Sequence, residues 1–170
     1  DRSVLWLMGS NKWAENNLCK EAEKCGIQSN RLIFANKLPY SDHLARCKLG
    51  DLFLDTFNIN AHTTATDVLC AGMPLITKIG ESFAARVASS ILKAIDLPEL
   101  ITKSEEEYEA LIFEIATSPE KLFKIKKKLS ENRLTKPLFN SEMFIRYLED
   151  GYNQVYQNYL DGNKIKTIFV

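Results

Sequence analysis

Short apolar runs alternating with longer stretches of helical spacing constrain this chain more than any other feature, because that alternation marks a parallel sheet covered by helices. "VLWLM" (4–8), "RLIF" (31–34), "DLFLD" (51–55) and "PLIT" (74–77) read as strands, and Leu100 with Ile101 adds a fifth. After the first strand, Ala14, Leu18, Ala22 and Cys25 share one helical face, and Gly26 closes that helix as its cap. A short helix follows Pro39 with Ser41 or Asp42 as its N-cap, and Phe83, Val87, Ile91 and Leu92 repeat at helical spacing after the fourth strand. The class expected is α/β.

From about residue 104 three helical segments follow one another with no strand between them. Ser104 before Glu105, Glu106 and Glu107 is a side-chain cap followed by acids that suit the positive end of the helix dipole. Ser118 with Pro119 repeats that logic, and Asn140 or Ser141 opens the last helix, along which Phe144, Leu148, Val155 and Tyr159 form an apolar stripe. That stripe is more apolar than one surface helix of a finished domain requires, so part of it is expected to be exposed or to pair with a second copy of the chain. The domain reading is a core over residues 1–103 and a helical segment of the same domain over 104–170.

Lys plus Arg equals Asp plus Glu at 22 each, so the summed field offers no long-range pull on a polyanion and disfavours nucleic acid. The lysines at 121, 124, 126, 127 and 128 alternate with Leu122, Phe123, Ile125 and Leu129, which is the solvated face of an amphipathic helix. The four cysteines, Cys19, Cys25, Cys47 and Cys70, form no CxxC pair and read as reduced thiols in a packed interior, which with the lack of a signal sequence points to the cytoplasm. No apolar run approaches the roughly 18 to 20 residues that cross a bilayer, so no membrane contact is expected. The start Asp-Arg-Ser, directly before a strand, reads as a fragment of a longer chain or as a processed product.

The stretch "NAHTTATDVLCAGMPLIT" (60–77) runs from the third strand into a helix, and ligands of open α/β sheets settle at such carboxyl ends. A helix start offers unpaired N–H groups and a partial positive charge, so His62, Thr63 and Thr64 there could hold a phosphate while Asp67, one turn on, accepts from a sugar hydroxyl. The plainer alternative makes a Thr the N-cap and Asp67 dipole compensation. His62 differs, since its loop gives it no evident apolar face to pack against. No G-x-G-x-x-G, P-loop lysine motif or metal-spaced cluster appears, so neither dinucleotide, NTP nor metal chemistry is expected. A phosphoacceptor receiver domain is disfavoured because Gly9, Ser10 and Asn11, not paired acids, follow the first strand.

Residues 54–92, "LDTFNINAHTTATDVLCAGMPLITKIGESFAARVASSIL", with "NRLIFANKLPYSDHLARCKLGDLFLDT" (30–56) and "TKPLFNSEMF" (135–144), resemble the carboxyl-terminal lobe of the O-linked N-acetylglucosamine transferase family, including its bacterial and SPINDLY-like members. The resemblance implies an inverting, metal-independent GT-B glycosyltransferase whose second Rossmann-like lobe, a parallel sheet flanked by helices, holds the donor nucleotide. It implies His62, Thr63 and Thr64 around the diphosphate, Asp67 on the ribose, and His43, Arg46 and the backbone of Leu38 at the base. Tyr40 departs from the animal members, which have a Lys near the ribose. Also implied are a UDP-sugar donor, a protein acceptor with Ser or Thr hydroxyls, and an upstream catalytic lobe with tetratricopeptide repeats, where the family's acid–base groups lie. No catalytic base is identifiable in this chain, and GDP-fucose, used by plant SPINDLY members, leaves the donor base open. The alternative from another class is a non-catalytic nucleotide-binding or protein-interaction module.

Overall fold

The computed structural model describes residues 3–164 and 166–168. Its contacts gather the chain into two compact units, residues 1–46 and 47–170. In the first unit, β1 (Leu5–Met8) pairs in parallel with β2 (Leu32–Ala35), Leu5 opposite Leu32 and Met8 opposite Ala35. Parallel neighbours need a crossover, and α1 (Lys12–Lys24) supplies it. Asn11 caps α1 by accepting from Ala14 N–H at 2.9 Å. The helix stops as expected at Gly26, where Ile27 N–H returns to the Ala22 carbonyl and Gly26 N–H to that of Glu23. The second strand starts one residue later than the sequence implied, because residues 29–31 form a turn of 3-10 helix.

The last helix of this stretch, α2 (Tyr40–Cys47), corrects one expectation: neither Ser41 nor Asp42 is its cap. The Pro39 carbonyl already accepts from His43 N–H at 2.9 Å, so the helix has begun before either hydroxyl or carboxylate could cap it.

The second unit holds the hydrophobic core. β3 (Phe53–Leu54), β4 (Leu75–Lys78) and β5 (Ile101–Thr102) form a parallel sheet in the order β3-β4-β5. The crossovers are α3 (Thr63–Ala71) and α4 (Val87–Ala94). Val68 and Leu69 of α3, Leu75 and Ile76 of β4 and Leu92 of α4 are fully buried, with Leu97, Leu100, Ile115 and Leu129 closing the cluster. β4, the central strand, is buried along Leu75, Ile76 and Thr77, as a strand covered on both faces must be. α3 ends at Gly72, whose φ of 91° is the left-handed conformation a C-cap of this type needs. Phe83 is not part of α4, contrary to its spacing; it lies in the preceding loop and is 72% exposed. That loop turns on Ser82, whose hydroxyl accepts from Ala85 N–H at 3.2 Å, and closes with Gly80 N–H on the Ala85 carbonyl at 2.7 Å.

The helical end is as legible in the structure as in the sequence. Ser104 caps α5 (Glu105–Thr117), Ser118 caps α6 (Pro119–Thr135) with Pro at its start, and Asn140 caps α7 (Ser141–Leu160). α5 packs on β4 and β5, and buried Asn132 of α6 donates to the carbonyls of Ile95 and Asp96 at the end of α4. Lys126 and Lys128 reach Asp51 and Glu99 at the surface, so much of the lysine face is paired and solvated. On α7, Phe144, Leu148, Val155 and Tyr159 are exposed. Of the four free cysteines only Cys47 is buried; Cys19 is half-exposed, and Cys25 and Cys70 face solvent, so the packed-interior expectation holds for one. No helix among the described residues is long and apolar enough to cross a membrane.

Candidate functional site

At the carboxyl end of β3 the chain leaves the sheet through residues 55–62 and enters α3, and one buried carboxylate organises that corner. Asp55, 4% exposed, accepts from Thr56 N–H at 2.9 Å and Ala61 N–H at 2.6 Å on Oδ1. Its Oδ2 accepts from the Thr77 hydroxyl of β4 at 2.7 Å. Its main-chain oxygen accepts from the buried Tyr108 hydroxyl of α5 at 2.9 Å. Burial pushes the Asp55 carboxyl above its ordinary range, against the opposing effect of the Thr77, Ala61 and Thr56 donors and the nearby His62 charge. Burial, and then the Asp55 charge, push the Tyr108 phenol up to about 12.

Further contacts hold the loop from both sides. Asn60, also 4% exposed, donates its side-chain amide to the Thr56 carbonyl at 2.8 Å and its N–H to Ala84 at 2.8 Å. Phe57 packs edge-on against Tyr108 with centroids 5.1 Å apart, and the Lys78 ammonium sits 4.3 Å from the Phe57 centroid.

This loop delivers His62 as the N-cap of α3, with no hydrogen bond from its side chain to the helix start. Thr63 and Thr64 are the first two helical residues, both exposed, so neither is the cap that the plainer alternative required. The α3 start therefore lacks a side-chain cap and presents two hydroxyls beside the dipole's positive end. The His62 ring meets an apolar partner after all: Phe83 stands edge-on at 6.1 Å and 88°, and Nε2 is 3.5 Å from the Ala84 carbonyl. Asp67 lies half-buried one turn further along the helix. His62, Thr63, Thr64 and Asp67 are thus brought together on one helix start.

Leu38, His43 and Arg46 belong to the other unit. Arg46 Nη1 donates to the Asn36 carbonyl at 2.7 Å, and Nη2 lies 3.2 Å from His43 Nδ1. A guanidinium can only donate, so His43 Nδ1 can serve in this contact only as the acceptor. The same guanidinium is 5.7 Å from the Trp6 centroid. Leu38 is exposed, one residue ahead of Pro39. Among the described residues no three His, Cys, Asp or Glu side chains gather as a metal site would require.

The family model of glycosyl transferase family 41 matches residues 1–148. The chain belongs to glycosyl transferase family 41. It is similar to the UDP-N-acetylglucosamine–peptide N-acetylglucosaminyltransferase of Caenorhabditis elegans, at 32% identity over 98% of this chain and 14% of that protein. The Arabidopsis thaliana probable UDP-N-acetylglucosamine–peptide N-acetylglucosaminyltransferase SEC is 37% identical over 95% of this chain and 17% of its own length. A barley (Hordeum vulgare) SPINDLY protein of the same name class is 32% identical over 83% of this chain and 15% of its own. The chain thus spans about a sixth or less of these curated relatives. Its fold matches part of a mutant O-GlcNAc transferase of Thermobaculum terrenum with a TM-score of 0.80 at 25% identity, covering 92% of this chain and 31% of that one.

Asp55, Thr77, Tyr108 and Phe83 are the residues of this corner that sequence reasoning missed. The available signal was an acid at the very end of a strand, followed by a threonine and a loop.

Proposed function

We propose that the chain is the donor-binding part of a glycosyltransferase that moves N-acetylglucosamine from its UDP ester to Ser or Thr hydroxyls of proteins. The observation that carries this reading is the α3 start, without a side-chain cap, with His62, Thr63 and Thr64 on it, in a chain of family 41. A diphosphate placed there meets backbone N–H groups, two hydroxyls and the dipole, an interaction of about 0.3 to 1 kcal/mol for the dipole alone at an exposed site. When an acceptor hydroxyl displaces the sugar, negative charge grows on the departing β-phosphate, and donors already fixed in place stabilise that charge more than they stabilise the bound ester. Asp67 accepts from the ribose, while His43 packs on the base beside Arg46 and the Leu38 backbone. In this reading residues 1–103 form the nucleotide-sugar core and 104–170 a helical segment of the same domain; the packing of α5 on β4 and β5 supports the placing of the helical segment with those strands. The acceptor base comes from an upstream lobe, tetratricopeptide repeats belong to the same protein, no metal takes part, and the protein works in the cytoplasm.

Calorimetric titration with UDP, GDP, UDP-N-acetylglucosamine and GDP-fucose tests the reading. Selective binding of the uridine ligands supports it, selective binding of the guanosine ligands reassigns the donor, and silence with all four favours a non-catalytic interaction module.

A further inference from the structure

We propose that Asp55 is a positioning residue of the donor site: its carboxylate ties the β3–α3 loop into the one turn that presents His62, Thr63 and Thr64 as a preformed anion-binding helix start. The proposal rests on the diphosphate reading of that helix start. Oδ1 bridges the two ends of the loop, Thr56 N–H and Ala61 N–H, and so fixes the residue immediately before His62. Oδ2 anchors the same carboxylate to Thr77 in the central strand, and the Tyr108 hydroxyl holds the Asp55 main chain from α5. The helix start is thereby referenced to the most buried part of the sheet.

The sheet itself does not need this carboxylate. β3 already pairs with β4 through its main chain, Phe53 N–H to Pro74 and Asp55 N–H to Ile76. Placing an ionisable acid at 4% exposure costs stability, and the gain it brings is confined to a loop that ends at three exposed polar residues. A cost of that kind beside a polar site is the expected signature of preorganisation, in which the ordering of the binding groups is completed before the ligand arrives.

Asparagine at this position keeps one oxygen for Thr56 N–H and Ala61 N–H and can donate to Thr77 Oγ1, which then accepts. Alanine keeps none of these bonds. The two variants are made in the protein that carries this chain and titrated with UDP and with uridine, and amide hydrogen exchange is followed in the free proteins. Expected for Asp55→Ala is faster exchange at Thr56 and from Ala61 to Thr64 with β4 unchanged, about tenfold weaker UDP binding, and uridine binding within about twofold of wild type. Asp55→Asn should restore UDP binding to within about threefold. Unchanged UDP affinity in a folded Asp55→Ala protein overturns the proposal, as does an equal loss of UDP and uridine. Should Asp55→Ala not fold, Thr77→Val removes the Oδ2 partner alone. Faster exchange at Ala61 with a loss confined to UDP then supports the proposal, and wild-type behaviour in both overturns it. A wild-type protein that binds UDP no better than uridine refutes the diphosphate reading itself, a result distinct from every outcome above.

Discussion

Replacing Tyr108 by Phe removes one atom from the corner and leaves the ring in place. The lost hydroxyl donates to the Asp55 carbonyl at 2.9 Å in a buried setting, while the edge-on contact with Phe57 survives. A net hydrogen bond contributes about 0.5 to 1.5 kcal/mol, and a buried acceptor left short of its donor raises that to about 1 to 2 kcal/mol. With a urea m-value of roughly 2 kcal/mol per molar, the midpoint of unfolding falls by about 0.5 to 1 M with m unchanged. Far-UV circular dichroism is the suitable signal, since both tryptophans, Trp6 and Trp13, lie in the first unit and would report on that unit instead. The phenol titrates near 12 in the fold against an ordinary 10, so the stabilisation is fully present below pH 10 and is lost as pH rises through 12. The gap between Tyr108→Phe and wild type should therefore be constant to about pH 10 and close above it. A midpoint within about 0.1 M of wild type would refute the bond to Asp55.

Other consequences are as direct. Asn132→Ala leaves the Ile95 and Asp96 carbonyls without their buried donor and should cost about 1 to 3 kcal/mol in urea unfolding. Leu69→Ala, at a fully buried position of α3, should cost about 2 to 5 kcal/mol by the same measurement. The Asp55 carboxyl is raised above its unfolded value of 3.8, so its protonated form stabilises the fold below that pH and the contribution is lost as pH rises through the folded value. The stability of Asp55→Asn relative to wild type should accordingly increase with pH across that window and then level off, as a series of denaturation midpoints would show.

What could be read from the sequence was what the chain encodes locally. Ser104, Ser118 and Asn140 bond to N–H groups three residues ahead, so their caps are visible in a window of a few residues. The strand–helix alternation and the His62–Asp67 cluster are legible for the same reason. Phe83 misled because its spacing to Val87 and Ile91 stays in helical phase across a turn set by Ser82 and Gly80. Ser41 and Asp42 misled because Pro39 starts α2 with its own carbonyl. The clamp was hidden for a different reason: Thr77 and Tyr108 meet Asp55 from 22 and 53 residues away. A hydrogen bond of that span leaves no periodicity to detect.

The most direct test of the central claim, that the α3 start holds the donor diphosphate, is titration of the Thr63→Val, Thr64→Val double variant with UDP and with uridine. Valine keeps the shape of each side chain and removes only its hydroxyl, so UDP binding should weaken about tenfold or more while uridine binding stays within about twofold of wild type. An equal loss for both ligands, or none for either, would contradict the claim and return Thr63 and Thr64 to a purely structural part in the first turn of α3.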